Sequence, residues 1–186
     1  MSDTVNHLEV KQAIIESGLD VSDWHPNAFD DLTAEVQRKE CELLRNPLRR
    51  SVNVIKILAR HGSTGQYLIE ENVVRDDGRE QFRGRAPSEK LFAGERPSAG
   101  AIRGLVEELS LPADAEVEVE SVGEPYVEEG ELAKSYPRLW TIYTIYPITC
   151  VVQGVPDHPF VTTEVDHGEH LTHHWSWTSS SPEDIG

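Results

Sequence analysis

Apolar and polar residues change period along this chain, and each change predicts an element. Residues 7–17 (HLEVKQAIIES) place apolar side chains at helical spacing and stop before Gly18, which predicts a short amphipathic helix. A longer helix is expected from about Phe29 to Arg45, with Phe29, Leu32, Val36, Leu43 and Leu44 on its apolar side, Cys41 within it and Pro47 beyond its end. The period then drops to two. Ser51–Ala59 and Tyr67–Val74 read as strands, separated by a turn at 62–65 and followed by the turn signal Asp76-Asp77-Gly78. Residues 116–120 (EVEVE) alternate as a strand with one wet face. Residues 125–135 form an acidic loop or hairpin tip carrying Glu128, Glu129 and Glu131. Leu139–Val152 (LWTIYTIYPITCVV) is the most strand-like run, expected inside a sheet, with Pro147 requiring a bulge or an edge. The tail, 164–177, alternates as a strand, and Ser181 is the expected N-cap of a final helix.

Between the strands lies Pro87–Leu111 (PSEKLFAGERPSAGAIRGLVEELSL), around which the rest is organised. Gly94, Pro97 and Gly100 punctuate a loop. Ile102, Leu105, Val106 and Leu109 then recur as a helical stripe, with Arg103, Glu107 and Glu108 projecting from the other side. Arg103 and Glu107 are four apart and meet on the helix surface. Glu107 and Glu108 are adjacent and can reach one ion, and hard divalent cations take oxygen ligands. Gly104 is unexpected inside a helix, where glycine costs about 1 kcal/mol relative to alanine. Either something approaches closely there or the position needs no side chain.

In this stretch the sequence resembles the Nudix box, G-x5-E-x7-R-E-U-x-E-E-x-G-U with U aliphatic. Anchored on Glu107-Glu108, the register places Glu95, Arg103, Leu105, Glu107, Glu108 and Leu111 at matching positions without a gap. Three positions depart: Glu89 stands for the first glycine, Gly104 for the glutamate after the arginine, and Ser110 for the last glycine. The glutamate absent at 104 is, in that family, a metal ligand and sometimes the catalytic base. The resemblance implies an α/β (α+β) fold, a Nudix-type α/β/α sandwich with a mixed sheet. Here residues 1–48 would be a helical N-terminal extension and 49–186 the Nudix-like domain. It also implies Mg²⁺ or Mn²⁺ held by Glu107 and Glu108, with Glu95 closing the loop or adding a contact, and Arg103 orienting the carboxylates. Glu128, Glu129 and Glu131, or Glu164 and Glu169, are places to look for a replacement carboxylate.

Composition narrows the partners. Net charge is −16, and residues 104–133 hold ten acidic residues and neither Lys nor Arg. That argues against non-specific binding to nucleic acid, which needs a basic footprint, and disfavours an anionic membrane surface. A small phosphorylated substrate remains compatible, because a divalent cation can bridge carboxylate and phosphate. Arg79, Arg83 and Arg85 make the densest basic cluster near the box, and arginine suits bidentate phosphate contacts; a solvated strand edge explains them equally well. Gln81-Phe82-Arg83 resembles the strand before the box in Nudix enzymes acting on ADP-ribose-like compounds. Trp140, Tyr143 and Tyr146 offer ring faces for a base, although core packing accounts for such residues more often. His170, His173 and His174 have spacings seen in metal sites, but their alternation fits a strand better than a ligand-bearing helix. Cys41 and Cys150 are the only cysteines and are expected as buried thiols. No run approaches the roughly 18 apolar residues of a membrane span. The N-terminus lacks a basic-then-apolar signal, which predicts a cytoplasmic protein.

The sequence therefore favours a divalent-metal-dependent hydrolase of a nucleoside diphosphate linked to another moiety, with weak or altered activity because of Gly104. The alternatives are a catalytically reduced nucleotide- or metabolite-binding module, or a Nudix fold recruited to other biosynthetic chemistry. The N-terminal helices can pack on the sheet, cover the pocket or make a homodimer contact, and the sequence leaves these open.

Overall fold

The structure, a computed structural model, describes residues 4–111, 116–166 and 168–181. It is α+β, with a large sheet and few helices. A 3-10 turn at His7–Glu9 leads into α1 (Val10–Ser17), which ends at Gly18 in the left-handed conformation. Next come α2 (Ala28–Arg38), β1 (Glu42–Leu44), β2 (Arg49–His61), β3 (Tyr67–Arg75), β4 (Glu80–Arg85) and β5 (Ser88–Lys90). They are followed by α3 (Pro97–Glu108), β6 (Val117–Val122), β7 (Tyr126–Gly130), β8 (Thr141–Val152), β9 (Phe160–Asp166) and β10 (Glu169–Thr178). The helix expected after Ser181 lies outside the described residues.

The chain divides into two compact units. The first draws on Met1–Val54, Lys90–Glu95 and Pro125–Tyr146; the second on Ile55–Glu89, Arg96–Glu124 and Pro147–Gly186. β2 and β8 each contribute to both.

In the first unit, β1 pairs antiparallel with the start of β2, and β7 with the start of β8. Val10, Ala13 and Ile14 of α1 and Ala28 and Leu32 of α2 bury against Leu43, Val52 and Tyr136. The expected helix to Arg45 is too long. It stops at Arg38 because Lys39 turns into the left-handed region (φ 62°) and donates its N–H back to the Glu35 and Val36 carbonyls. Leu43 and Leu44 thereby fall on a strand, where Leu43 is fully buried opposite Arg50. Cys41 lies after the helix rather than within it, and it is a buried free thiol, as is Cys150 on β8. Burial pushes the Cys41 thiol up to about 12 and that of Cys150 up to about 11, so both stay protonated near neutral pH.

Inside this unit sits a buried charge cluster that the sequence did not announce. Arg50 donates to Glu35 Oε2 through Nη2 at 2.6 Å and Nε at 3.0 Å. Lys90 Nζ reaches Glu35 Oε1 at 2.8 Å, and the Tyr136 hydroxyl donates to the same oxygen at 3.3 Å. The guanidinium also lies 5.3 Å from the Tyr136 ring centroid.

The second unit holds six neighbouring strands in the order β6-β8-β2-β3-β10-β9, with β4 beside β3. β8 is interior, as its composition predicts. Its partner β6 carries an irregularity between Val119 and Ser121, opposite Cys150 and Thr149. β10 pairs antiparallel with both β3 and β9, and a bulge between His174 and Trp175 resets its register. Beside β6 and β9 lies α3, whose buried positions are Gly100, Ala101, Gly104 and Leu105. The stripe expected at Ile102 and Val106 is rotated: Ile102 is exposed and Val106 half-buried. Small residues let this helix approach its neighbours closely, so Gly100, Ala101 and Gly104 face inward beside Leu105.

Removing one partner of a buried ion pair typically costs about 3–5 kcal/mol. Glu35→Ala is therefore expected to lower the unfolding free energy measured by urea denaturation by an amount in that range. Burial alone would raise the Glu35 carboxyl, but Arg50 and Lys90 outweigh it and hold it below its ordinary 4.5. The pair's contribution is therefore complete above about pH 4.5 and lost as the pH falls through the lower, folded-state value. Urea unfolding of wild type and Glu35→Gln between pH 2 and 7 should show the wild-type advantage shrinking only on that acid limb.

Candidate functional site

α3 begins at Pro97, whose fixed φ suits the first helical turn, and ends with Glu107 and Glu108. Its C-terminal end is tied to β9. The Thr162 hydroxyl donates to the Glu108 carbonyl, and Ser110 Oγ donates to the Thr163 carbonyl at 2.9 Å. Trp175 Nε1–H in turn donates to Thr162 Oγ1 at 2.7 Å. The first of these bonds satisfies a carbonyl that the helix end leaves open, and together they hold the end of α3 against β9.

Gly104 faces Glu89. A Cβ built on Gly104 would stand 3.1 Å from both Cβ and Cγ of Glu89, closer than carbon atoms ordinarily pack. The bare glycine therefore makes room for the Glu89 side chain. Both are departures from the box pattern, and they exchange residues: glutamate stands where a glycine was expected and glycine where a glutamate was expected. Arg103 Nη1 lies 3.3 Å from Glu89 Oε1 and 3.3 Å from Glu107 Oε2, so one guanidinium serves both carboxylates. Burial raises the Glu89 carboxyl above its ordinary value, with Arg103 opposing and Glu107 and Glu164 adding to the rise.

Glu108 is half-buried as a residue, but its Oε2 is sealed from water and has no hydrogen-bond partner among the described residues. Burial first, then the charges of Glu70, Glu89 and Glu164, push this carboxyl well above the ordinary range, with His173 opposing. His173 is buried on β10. Its Nδ1 lies 2.7 Å from Glu70 Oε1 and its Nε2 3.2 Å from Glu164 Oε1. Arg83 Nε is 3.4 Å from Glu70 Oε2. Within this unit, then, Glu70, Glu89, Glu107, Glu108 and Glu164 are interleaved with Arg83, Arg103 and His173.

Of the residues singled out from sequence, Arg83, Arg103, Glu107, Glu108 and Glu164 come together in this cluster. Arg85, on the same strand as Arg83, is exposed. Glu95 and Trp140 belong to the first unit. The Glu95 carboxylate accepts the Phe92 N–H at 3.0 Å, closing its loop, and Trp140 exposes 43% of its surface. Glu128 and Glu129 are exposed on β7, also in the first unit. The carboxylate beside Gly104 is that of Glu89, and its signal in the sequence was the paired departure itself. Glu70 and His173 gave no such signal. Glu70 reads as one acid in a strand, and His173 as one of several histidines in an alternating tail.

Among the described residues, no three His, Cys, Asp or Glu side chains converge in metal-ligand positions. The donor chemistry nonetheless fits a hard divalent cation. An orphaned, buried carboxylate oxygen sits among three further carboxylates, and such an atom is costly unless something positive reaches it.

No family model matches the sequence, and no curated protein does. Among solved structures, the chain is similar to one from a study of MutT from Aliivibrio salmonicida and Vibrio cholerae, at 14% identity over 69% of this chain and 79% of that one, with a TM-score of 0.33. It is also similar to an Ap4A hydrolase from C. elegans, at 17% identity over 73% of this chain and 83% of that one, again with a TM-score of 0.33. Likeness at this level says nothing of chemistry, which the side chains themselves decide.

The contact between residues 89 and 104 can be read by a double-mutant cycle. In a Glu89→Gly background, Gly104→Ala is expected to gain the helix preference of alanine, about 1 kcal/mol. In the wild-type background the clash with Glu89 should cancel or reverse that gain, giving a coupling above about 0.5 kcal/mol in urea unfolding. Additive effects would show that Glu89 does not fill the space over Gly104.

Proposed function

We propose that this chain is a divalent-cation-dependent hydrolase of Nudix type, cleaving a phosphoanhydride in a nucleoside diphosphate linked to another moiety. The observation that carries this reading is the sealed, unpartnered Oε2 of Glu108 among neighbouring carboxylates, behind a box-like loop and helix. The exchange of Glu89 and Gly104 supports it further, because it returns a carboxylate to the place where the box sequence lacks one.

Glu107 and Glu108 are assigned to hold Mg²⁺ or Mn²⁺. When bound, the cation neutralises the diphosphate and lowers the pKa of the attacking water. Arg103 holds Glu89 Oε1 and Glu107 Oε2, each at 3.3 Å, and so fixes both carboxylates. Glu89 is assigned as general base, its Oε2 taking the proton from the water. Its raised pKa moves it toward the range in which a carboxylate exchanges protons near neutral pH. Arg83 and Arg85 are assigned to the phosphates. Glu95 and Trp140 receive no role at this cluster. A second reading, a binding module without turnover, draws on His173, which already engages two of the carboxylates.

The test is a phosphate-release screen with Mg²⁺ and Mn²⁺ over ADP-ribose, NADH, nucleoside diphosphate sugars, dinucleoside polyphosphates and nucleoside triphosphates. Turnover on one class is expected, abolished in Glu107→Gln. Glu89→Gln should lower kcat by about 10²–10⁴-fold, the usual contribution of a general base. Undiminished kcat in Glu89→Gln would remove that residue from the mechanism. Silence on every substrate together with calorimetric binding of one would favour the binding module.

A further inference from the structure

In the second unit, β4, β3, β10 and β9 carry the carboxylate cluster on one face and a cleft on the other. Strand register sets the floor of that cleft. Phe82 stands opposite Asn72, Asn72 opposite His174, and His174 opposite Val161, a single row across four strands. Successive residues of a strand point to opposite faces. Arg83, next to Phe82, reaches Glu70, and His173, next to His174, bridges Glu70 and Glu164. The row therefore points away from the carboxylates. β10 sets His174 against Asn72 and Trp175 against Glu70, which makes Glu71 the extra residue of a bulge and brings it to the cleft beside Asn72. The Ser176 hydroxyl donates to Glu71 and pins it there.

The cleft measures about 410 Å³, in the range of small-ligand pockets, roughly 300–1,000 Å³. Its ends are apolar and its middle is polar. Phe82 leaves 82% of its surface exposed and Val161 54%, at opposite ends of a row that spans three strand spacings, about 14 Å. Between them lie an amide and an imidazole. Asn72 Nδ2 donates to Glu80, and Asn72 Oδ1 is buried with no partner among the described residues. The half-buried His174 ring makes no hydrogen bond to any described residue, so a neutral imidazole keeps one donor and one acceptor on offer. An exposed aromatic ring is a platform for a flat π-face. The only acid lining the cleft is Glu71, and neither Lys nor Arg lines it. A phosphate here would meet a carboxylate and no cation, whereas an uncharged ring meets no such repulsion.

We propose that this cleft is a second ligand site, taking an uncharged planar heteroaromatic ring, a nucleobase or a nucleoside without phosphate. The ring stacks on Phe82 and hydrogen-bonds to His174. The inference does not rest on the cation reading of Glu107 and Glu108, because the ligand lies on the face away from them.

The experiment is saturation-transfer NMR and calorimetry on the full chain in divalent-free buffer, with adenosine, cytidine and nicotinamide as probes at millimolar concentration and AMP and CMP as their phosphorylated counterparts. One of the uncharged probes is expected to bind one to one, and a nucleoside more tightly than its nucleotide. Phe82→Ala should weaken binding about tenfold, the worth of one base-stacking contact. His174→Ala should weaken it about fivefold, the worth of one hydrogen bond. Glu107→Gln, in the carboxylate cluster, should leave it unchanged. Phe82 lies mostly in water, so its substitution spares the fold and keeps the test decisive. No saturation transfer to any uncharged probe would overturn the proposal, as would equal affinity in wild type and Phe82→Ala. Binding lost in Glu107→Gln but kept in Phe82→Ala would place the ring at the carboxylate cluster and overturn it too. Self-association abolished by Phe82→Ala, with no probe bound, would make this face a contact between two copies of the chain instead.

Discussion

The second unit depends on one steric fact: the side chain of Glu89 lies over the bare backbone of Gly104. A glycine inside a helix is a standing cost, and here the space it opens admits a half-buried carboxylate side chain. Arg103 is then placed one residue along the same helix, between Glu89 and Glu107. The rotated packing of α3, with Ala101, Gly104 and Leu105 inward, follows from the same demand for close approach. So does the concentration of negative charge at the helix end, which leaves Glu108 without a partner for one oxygen.

Two buried charge clusters use opposite logic. Around Glu35 the protein supplies enough cations: Arg50 and Lys90 hold the carboxylate ionised, and Tyr136 takes up a remaining lone pair. That arrangement is closed, and it serves stability. Around Glu108 the protein supplies too few cations, and the carboxyl is pushed toward its neutral form.

Much of this was legible from period and spacing. The helix at α1, the strands at β2, β3, β6, β8 and β10, and the association of Arg103 with Glu107 follow directly from residue patterns. The end of α2 was not legible. Lys39 adopts a conformation that glycine usually takes, and the apolar residues beyond it fit a helix or a strand equally well until β2 pairs with them. At the site, the box-like spacing identified Glu107 and Glu108, and the exchange at 89 and 104 was visible as two separate anomalies. That they are one anomaly is a fact of three dimensions, since β5 and α3 meet only in the folded unit. Glu70 and His173 were hidden for the same reason, their meeting being set by a strand register that a bulge at His174–Trp175 shifts.

The contact between Glu89 and Gly104 also constrains history. From a chain with glycine at 89 and glutamate at 104, a first step to Glu89 would drive two side chains into the same space. A first step to Gly104 would leave only a vacant pocket and a weakened helix turn, both survivable. Positions 89 and 104 therefore compete for one space, and a side chain can be enlarged at one of them only where the other yields.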